Sequence, residues 1–191
     1  TYTMVDTDSA GTYDCTLGGD DSADFAKSVS GKVCTVTFAA NPDYETPADT
    51  GGDNVYDLTI SFTDGTNTLA AQTTAITITD ANDQTPAYSA TDTTPSVLEG
   101  TTAADAFTIT DTDTGDSNAC TLAGADSALF TCTVSGDSVS LAFTTAPDYE
   151  SPADADTDNV HAVTVTISDG ANTGSTISYT VTVTDSTSVV I

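Results

Sequence analysis

The sequence repeats itself without gaps at an offset of 105 residues (42 to 147). Pro42-Asp43-Tyr44-Glu45 recurs at 147–150, and Asp53-Asn54-Val55 recurs at 158–160. Cys15-Thr16-Leu17 returns at 120–122 with the same offset. A gapless repeat of about a hundred residues is typical of one domain copied in tandem. We therefore predict two homologous domains, residues 1–84 and 85–191.

Apolar and polar residues alternate within short runs in both repeats. The clearest runs are residues 58–62, 76–78, 163–167 and 181–183, in which Val, Ile or Leu alternates with Thr or Ser. A period of two places one set of side chains in the core and the other in solvent. Turns rich in Gly, Asp and Asn separate the runs, and no long helical period occurs. This pattern predicts an all-β chain of two tandem Greek-key β-sandwiches.

The charge balance restricts the partners of such a fold. The chain has 29 acidic and 2 basic residues, a formal net charge of −27. Nucleic acids and anionic membranes repel a chain of this charge, so neither is an expected partner. The apolar fraction of 38%, arranged in alternating runs, argues against disorder. A folded chain with so many carboxylates favours oxygen-seeking cations such as Ca²⁺.

The ends of the sequence carry neither a membrane span nor a signal peptide. No apolar run is long enough to cross a bilayer. The first four residues, Thr1-Tyr2-Thr3-Met4, lack the basic start and apolar core of an export signal. We expect a mature or excised segment of a secreted protein.

The four cysteines are Cys15, Cys34, Cys120 and Cys132. None is part of a CxxC pair, and a single histidine gives no zinc-ligand spacing. Four cysteines allow three disulfide connectivities. The pairs Cys15–Cys34 and Cys120–Cys132 are favoured because each stays within one repeat. The alternative is four buried free thiols.

The segment between the repeats carries the most specific motif. It reads Asp80-Ala81-Asn82-Asp83-Gln84-Thr85-Pro86, which resembles the DxNDNxP linker of the cadherin family. Other segments resemble further cadherin motifs in the expected order. Asp-Tyr-Glu at 43–45 and 148–150 matches the DRE-type motif, and 111–115 matches DxDxG, as 6–8 does less well. Glu99 matches the strand-A glutamate, and Asp64 and Asp169 match the aspartate that ends a later strand. The loop sequences are more similar to bacterial cadherin-like repeats than to animal ones.

The resemblance implies Ca²⁺ ligands at the repeat junction. The implied ligands of this central junction are Asp43, Glu45, the Ala81 carbonyl, Asn82, Asp83, the Gln84 carbonyl, Asp111, Asp113, Asn118 and Asp169. Further ligands would form flanking or inter-subunit junctions: Asp6, Asp8, Asp64, Glu99, Asp148, Glu150 and Asp185. Carboxylates that converge in this way repel each other unless cations lie between them.

Two further features have competing interpretations. Alternate aspartates at 154, 156 and 158 resemble the start of a Ca²⁺ loop, but the central glycine and distal glutamate of an EF-hand are missing, which favours a solvated acidic turn. His161 begins a strand, and we expect it to be half-buried rather than catalytic. One histidine supports no Ser-His-Asp triad. We therefore expect no enzymatic activity.

The implied role is mechanical: a Ca²⁺-stiffened extracellular module of a cell-surface adhesin, fibre or surface layer. Its partners would be neighbouring repeats or copies of itself in a head-to-tail polymer. Repeat 1 lacks a counterpart of residues 86–105, so Val189 to Ile191 of another subunit is a candidate donor strand. The alternative is a carbohydrate- or ligand-binding module on a surface protein.

Overall fold

The computed structural model describes residues 1–7, 11–89, 92–115 and 117–186 and divides the chain into two compact units. Unit 1 is Thr1–Ala81 and unit 2 is Asn82–Ile191. The division falls three residues before the predicted boundary, so the segment Asn82-Asp83-Gln84 belongs to unit 2. The described residues include no helix long and apolar enough to span a membrane.

In its described residues, unit 1 contains two three-stranded sheets, in the orders β1-β4-β3 and β2-β5-β6. Alternating residues of β5 are buried: Tyr56, Leu58 and Ile60 are each 1% exposed. The predicted run 58–62 lies within this strand. The strands are β1 (Tyr2–Thr3), β2 (Asp14–Gly18), β3 (Phe25–Ser30), β4 (Val33–Phe38), β5 (Val55–Thr63) and β6 (Gln72–Thr77).

Unit 2 contains two four-stranded sheets, in the orders β10-β13-β14-β8 and β11-β12-β9-β7. Pairing is antiparallel except where β8 runs parallel to β14, with Val97 opposite Val183. The strands are β7 (Ala87–Ser89), β8 (Ser96–Leu98), β9 (Ala103–Thr110), β10 (Ala119–Ala123), β11 (Phe130–Ser135), β12 (Ser138–Phe143), β13 (Val160–Ser168) and β14 (Thr173–Thr184). The nearly all-β class predicted from the alternation is confirmed.

The cores of the two units differ in size. Among the described residues, fourteen buried apolar residues form the core of unit 2, whereas six form that of unit 1. We therefore expect unit 1 to depend more on cross-links and hydrogen bonds for its stability.

Both predicted disulfides are present, and each joins the two sheets of its unit. Cys15 of β2 is bonded to Cys34 of β4, and Cys120 of β10 is bonded to Cys132 of β11. The residues of each pair are 19 and 12 positions apart. Because each bond closes a loop in the unfolded chain, a contribution of about 3 kcal/mol per disulfide is expected.

Candidate metal centres

The Asp111–Asp113 segment and the start of unit 2 form the first candidate centre. The backbone N–H of Gln84 donates to Asp113 Oδ2 at 2.7 Å, and the N–H of Asp113 donates to Asp111 Oδ1 at 3.2 Å. Asp113 is buried, with 8% exposure. Carboxylate oxygens of Asp83 and Asp113 lie within 4.8 Å of each other. The structure thus brings together Asp83, Gln84, Asp111 and Asp113 of the predicted ligand set.

Asp169 lies at the same end of unit 2, in a tight turn after β13. Its Oδ1 accepts the backbone N–H groups of Ala171 at 2.8 Å and Asn172 at 2.6 Å. The Asn172 side chain donates to Asn82 Oδ1 at 2.8 Å, and Asn82 Nδ2 donates to the Asp169 carbonyl at 3.4 Å. Burial opposes ionisation, but the Asn172 and Ala171 hydrogen bonds hold the pKa of Asp169 below its usual value. Asp169 therefore stays charged while only 1% exposed.

Three buried oxygens at this end have no hydrogen-bond donor among the described residues. They are Asp111 Oδ2, Asp113 Oδ1 and Asn118 Oδ1. An unpaired buried acceptor costs about 1–3 kcal/mol, and more when it is charged. Carboxylate and amide oxygens are the ligands that Ca²⁺ prefers, and coordination of a cation satisfies buried oxygens of this kind. The donor set of this end therefore fits a hard divalent cation.

The opposite end of unit 2 holds the second candidate centre. Carboxylate oxygens of Glu99, Glu150 and Asp185 lie within 4.8 Å of one another. Glu99 Oε2 accepts the N–H of Tyr149 at 3.0 Å, and its Oε1 accepts the N–H and Oγ–H of Ser186 at 2.8 and 2.7 Å. Asp148 Oδ1 accepts the N–H of Glu150 at 3.1 Å. The structure brings these four predicted flanking ligands to one place.

The carboxylates of this second centre respond to each other's charge. Hydrogen bonds from Ser186 and Tyr149 lower the pKa of Glu99 to about 2. The pKa of Glu150 shifts in the opposite direction. A backbone hydrogen bond lowers it, but burial and the charges of Glu99 and Asp185 raise it overall. A raised pKa in an acidic cluster indicates repulsion that a bound cation would relieve.

The predicted ligands of unit 1 lie in two places within that unit. Asp43 and Glu45 follow β4, where Asp43 Oδ1 accepts the N–H groups of Glu45 at 3.1 Å and Thr46 at 3.2 Å. Ala81 is the last residue of the unit. Asp64 repeats the turn of Asp169, with its Oδ1 accepting the N–H groups of Thr66 at 2.7 Å and Asn67 at 2.6 Å. Asp8 lies outside the described residues.

The end of unit 1 near Asp6 differs from the first centre of unit 2. Lys32 and Tyr13 stand at the positions of Asp137 and Asn118. Lys32 Nζ donates to the Asp6 carbonyl at 2.6 Å and lies 5.4 Å from the centroid of the Tyr13 ring. The Tyr13 hydroxyl donates to Asp6 Oδ2 at 3.0 Å. This end of unit 1 therefore has its own ammonium cation, a substitution that the motif comparison overlooks.

Two buried aspartates were not identified from the sequence. Asp21 accepts the N–H groups of Thr50 at 2.7 Å and Asp57 at 2.6 Å, and these bonds lower its pKa. Asp126 accepts the N–H groups of Ala155 at 2.9 Å and Ala162 at 2.7 Å. Each aspartate thus accepts one hydrogen bond from a loop and one from the strand that follows this loop. Their recurrence at the 105-residue offset is the signal that would have found them.

The expectation that His161 is half-buried is wrong, because this side chain is only 2% exposed. Its ring packs edge-on against Phe143, with centroids 5.0 Å apart, and against Phe130. His161 also lines a cavity of about 270 Å³, whereas Tyr56 at the equivalent position lines one of about 110 Å³.

Comparisons with known proteins show the fold and leave the family open. No profile of a known protein family matches the sequence, and no curated relative is found. Among solved structures, human protocadherin-24 EC1-2 matches with a TM-score of 0.71 and 18% identity over 97% of this chain and 88% of that one. Protocadherin gammaB7 EC3-6, solved as a cis-dimer, matches with a TM-score of 0.67 and 19% identity. That match covers 97% of this chain and 43% of the protocadherin, so this chain spans less than half of it.

A third match is the human desmocollin-1 ectodomain, with a TM-score of 0.64 and 17% identity. It covers 86% of this chain and 32% of the desmocollin. All three are extracellular cadherin domains by their descriptions. The chain therefore has the cadherin fold, and its function has to be argued from its own residues.

Proposed function

We propose that this chain is an extracellular adhesion-type module that Ca²⁺ binding makes rigid, with a structural rather than a catalytic role. The observation that carries the proposal is the set of three buried oxygens, on Asp111, Asp113 and Asn118, that have no hydrogen-bond donor among the described residues. Two disulfides, which persist in oxidising compartments, support the extracellular location. The net charge of −27 supports cation loading.

The first centre would hold Ca²⁺ through Asp111, Asp113, Asn118 and the linker residues Asn82, Asp83 and Gln84. Asp43, Glu45 and Ala81 would add ligands from unit 1. A cation bound there would connect the linker to the Asp111–Asp113 segment. Because cation binding favours the state that presents these ligands together, the loaded linker would be stiffer than the metal-free one. The second centre, at Glu99, Asp148, Glu150 and Asp185, would serve an adjoining repeat in the same way.

Counting bound ions in the intact chain by titration calorimetry tests this proposal. Asp113→Asn keeps the side-chain size and removes one charge from the first centre. Asp92→Asn is the matched control, because Asp92 is an exposed aspartate of the same unit that accepts the N–H of Thr94 at 2.8 Å. We expect Asp113→Asn to bind fewer Ca²⁺ ions and Asp92→Asn to bind the wild-type number. Equal numbers in both variants would contradict the proposal.

We further propose that unit 1 accepts a strand from another repeat or another copy of the chain. In unit 2, β8 pairs in parallel with β14 through Val97 and Val183. In unit 1, β6 is at the edge of the sheet β2-β5-β6, and no described residue pairs with its outer side. An unpaired strand edge of this kind is open to β-augmentation. The candidate donor, Val189 to Ile191, lies outside the described residues.

Deletion of residues 187–191 tests the strand-donation proposal. If these residues fill the edge of β6 in another copy, the truncated chain will be monomeric where the full chain forms head-to-tail polymers. Sedimentation velocity and electron microscopy would measure the difference. Unchanged assembly after truncation would rule out this donor.

The alternative of a carbohydrate- or ligand-binding module has less support. Such a surface usually presents a cluster of exposed aromatic rings. Tyr149, at 40% exposure, is the one exposed aromatic side chain among the described residues. The cavity beside His161 would favour this role only if it took up a ligand.

A further inference from the structure

The loop that precedes β13 in unit 2 contains a third group of carboxylates, separate from the two centres above. Asp154, Asp156 and Asp158 each have a carboxylate oxygen within 4.8 Å of the others. Asp156 and Asp158 are exposed, whereas Asp154 is only 4% exposed. Three acidic groups this close would be an ordinary solvated turn if each had its own donors. The hydrogen-bond partners of the buried Asp154 therefore distinguish a solvated turn from a metal site.

One oxygen of the buried Asp154 has no donor. Its Oδ2 accepts the backbone N–H of Asp158 at 2.8 Å. Its Oδ1 is buried and without a hydrogen-bond partner among the described residues. Burying an ionised carboxylate oxygen without a hydrogen-bond donor costs free energy. Metal coordination is one of the few ways to offset this cost. The unsatisfied oxygen belongs to the carboxylate around which the other two gather.

In the equivalent loop of unit 1, both oxygens of the buried aspartate have donors. There Asp49 Oδ2 accepts the N–H of Asp53 at 3.0 Å, and Asp49 Oδ1 accepts the N–H of Asn54 at 3.0 Å. Both oxygens are thus satisfied within the loop. The loop of unit 2 keeps the first of these hydrogen bonds and leaves the second oxygen without a donor.

The residue between the flanking aspartates also differs. Gly51 of unit 1 stands where unit 2 has Asp156. A Cβ atom at Gly51 would lie 3.1 Å from Asp53 Oδ1 and 3.2 Å from Asp49 Oδ2. A side chain at this position therefore lies beside both flanking carboxylates. Unit 2 has a third carboxylate at this position, in the loop where Asp154 Oδ1 has no donor among the described residues.

Unit 2 contains no lysine or arginine, because Lys27 and Lys32 both belong to unit 1, and the basic side chain whose charge acts on Asp154 is His161. The ligand atoms are all carboxylate oxygens, without the imidazole or thiolate that Zn²⁺ prefers. A hard cation that accepts several carboxylates and completes its shell with water fits best.

We propose that the loop 154–159 of unit 2 binds one Ca²⁺ ion through the carboxylates of Asp154, Asp156 and Asp158, and that the loop of unit 1 binds none. The site is independent of the two centres in the proposed function. Its expected affinity is that of extracellular calcium modules, about 10⁻⁴ to 10⁻³ M. Its role would be to hold the loop against the start of β13 while leaving the strand pairing unchanged.

Calcium titration calorimetry on the intact 191-residue chain tests the site. Asp156→Asn changes an exposed side chain and should fold normally; Asp156→Gly restores the residue found in unit 1. Asp158→Asn and Asp53→Asn form a matched pair, since each native side chain accepts the N–H two positions on, at 2.8 Å and 3.1 Å. We expect both Asp156 variants and Asp158→Asn to lose one equivalent of bound Ca²⁺, and Asp53→Asn to lose none.

The outcomes separate this site from the proposed function. If Asp113→Asn loses an ion and the Asp156 variants keep the wild-type number, the first centre stands and the loop site is refuted. If the Asp156 variants bind one Ca²⁺ fewer than the wild type and Asp113→Asn binds the wild-type number, the loop site is supported and the first centre is refuted. A wild-type chain that binds no Ca²⁺ up to about 10 mM would refute both, since this exceeds the expected range of affinities.

Discussion

The backbone N–H of Gln84 donates to Asp113 Oδ2 at 2.7 Å, while Asp113 Oδ1 stays buried without a described donor. One carboxylate thus joins the linker to the Asp111–Asp113 segment and also offers an oxygen to a cation. The hydrogen bond positions the carboxylate before any ion binds. In the proposed function, ion binding and linker order would therefore be coupled through this single side chain.

The ammonium of Lys32 should make the Asp6 end of unit 1 a weaker calcium site than the first centre of unit 2. Its Nζ donates to the Asp6 carbonyl at 2.6 Å. We expect Lys32→Gln to make the stability of unit 1 more dependent on Ca²⁺, because it removes the positive charge bound at the Asp6 carbonyl from this acidic end. Hydrogen exchange of β2 and β5 in Ca²⁺ and in chelator would measure this. Lys27→Gln is the control, and an unchanged calcium dependence in Lys32→Gln would contradict the argument.

Removing a disulfide should affect unit 1 more than unit 2. The double variant Cys15→Ala with Cys34→Ala removes the link between the sheets of a unit with six buried core residues. The equivalent variant of Cys120 and Cys132 leaves a core of fourteen. Each loss should cost about 2–5 kcal/mol. Chemical denaturation should show unit 1 unfolding under conditions in which unit 2 stays folded; equal sensitivity of the two units would count against this view.

Exchange of Tyr56 and His161 tests the cavity in unit 2. Since Tyr56 lines a cavity of about 110 Å³ and His161 one of about 270 Å³, His161→Tyr should fill space and remove a buried Nδ1 that has no partner among the described residues. Cavity filling of this kind stabilises by about 0.5–2 kcal/mol. The reverse change, Tyr56→His, should destabilise unit 1. Urea denaturation of both variants checks the two signs, and a destabilising His161→Tyr would show that the space cannot accept the ring.

Glu99 should make unit 2 sensitive to acid when no calcium is present. Its folded pKa of about 2 lies below the usual 4.5. A depressed pKa gives stability that is present above the unfolded value and is lost as the pH falls towards 2. The stability difference between wild type and Glu99→Gln in chelator should therefore shrink between about pH 5 and pH 2. A difference that does not change with pH would mean that Glu99 acts through its size alone.

Much of the fold could be predicted because its signals are local or periodic. The alternation of residues 58–62 and 163–167 identifies the centres of β5 and β13, and the 105-residue offset identifies the two repeats. The residues of the first centre belong to sequence motifs that lie at the ends of strands. These features depend on short stretches of sequence, so one sequence is enough to reveal them.

The remainder depends on residues that meet only in three dimensions. Asp21 and Thr50 are 29 residues apart, and their hydrogen bond leaves no local pattern. Lys32 and Asp6 are 26 residues apart, so the cation at that end of unit 1 cannot be inferred from the Asp6-Thr7-Asp8 motif. The burial of His161 follows from the ring packing of Phe130 and Phe143, which the alternation does not specify.

Thermal unfolding followed by circular dichroism, in 10 mM Ca²⁺ and in excess chelator, is the most direct test of calcium-dependent rigidity. At a hundredfold excess over Kd, each site should add about 2.7 kcal/mol. For a domain of this size, that stabilisation raises Tm by roughly 10–20 °C. We predict a shift of this size that chelator reverses and that Asp113→Asn diminishes. An identical Tm with and without Ca²⁺ would contradict the account and leave the disulfides and the two cores as the sources of stability.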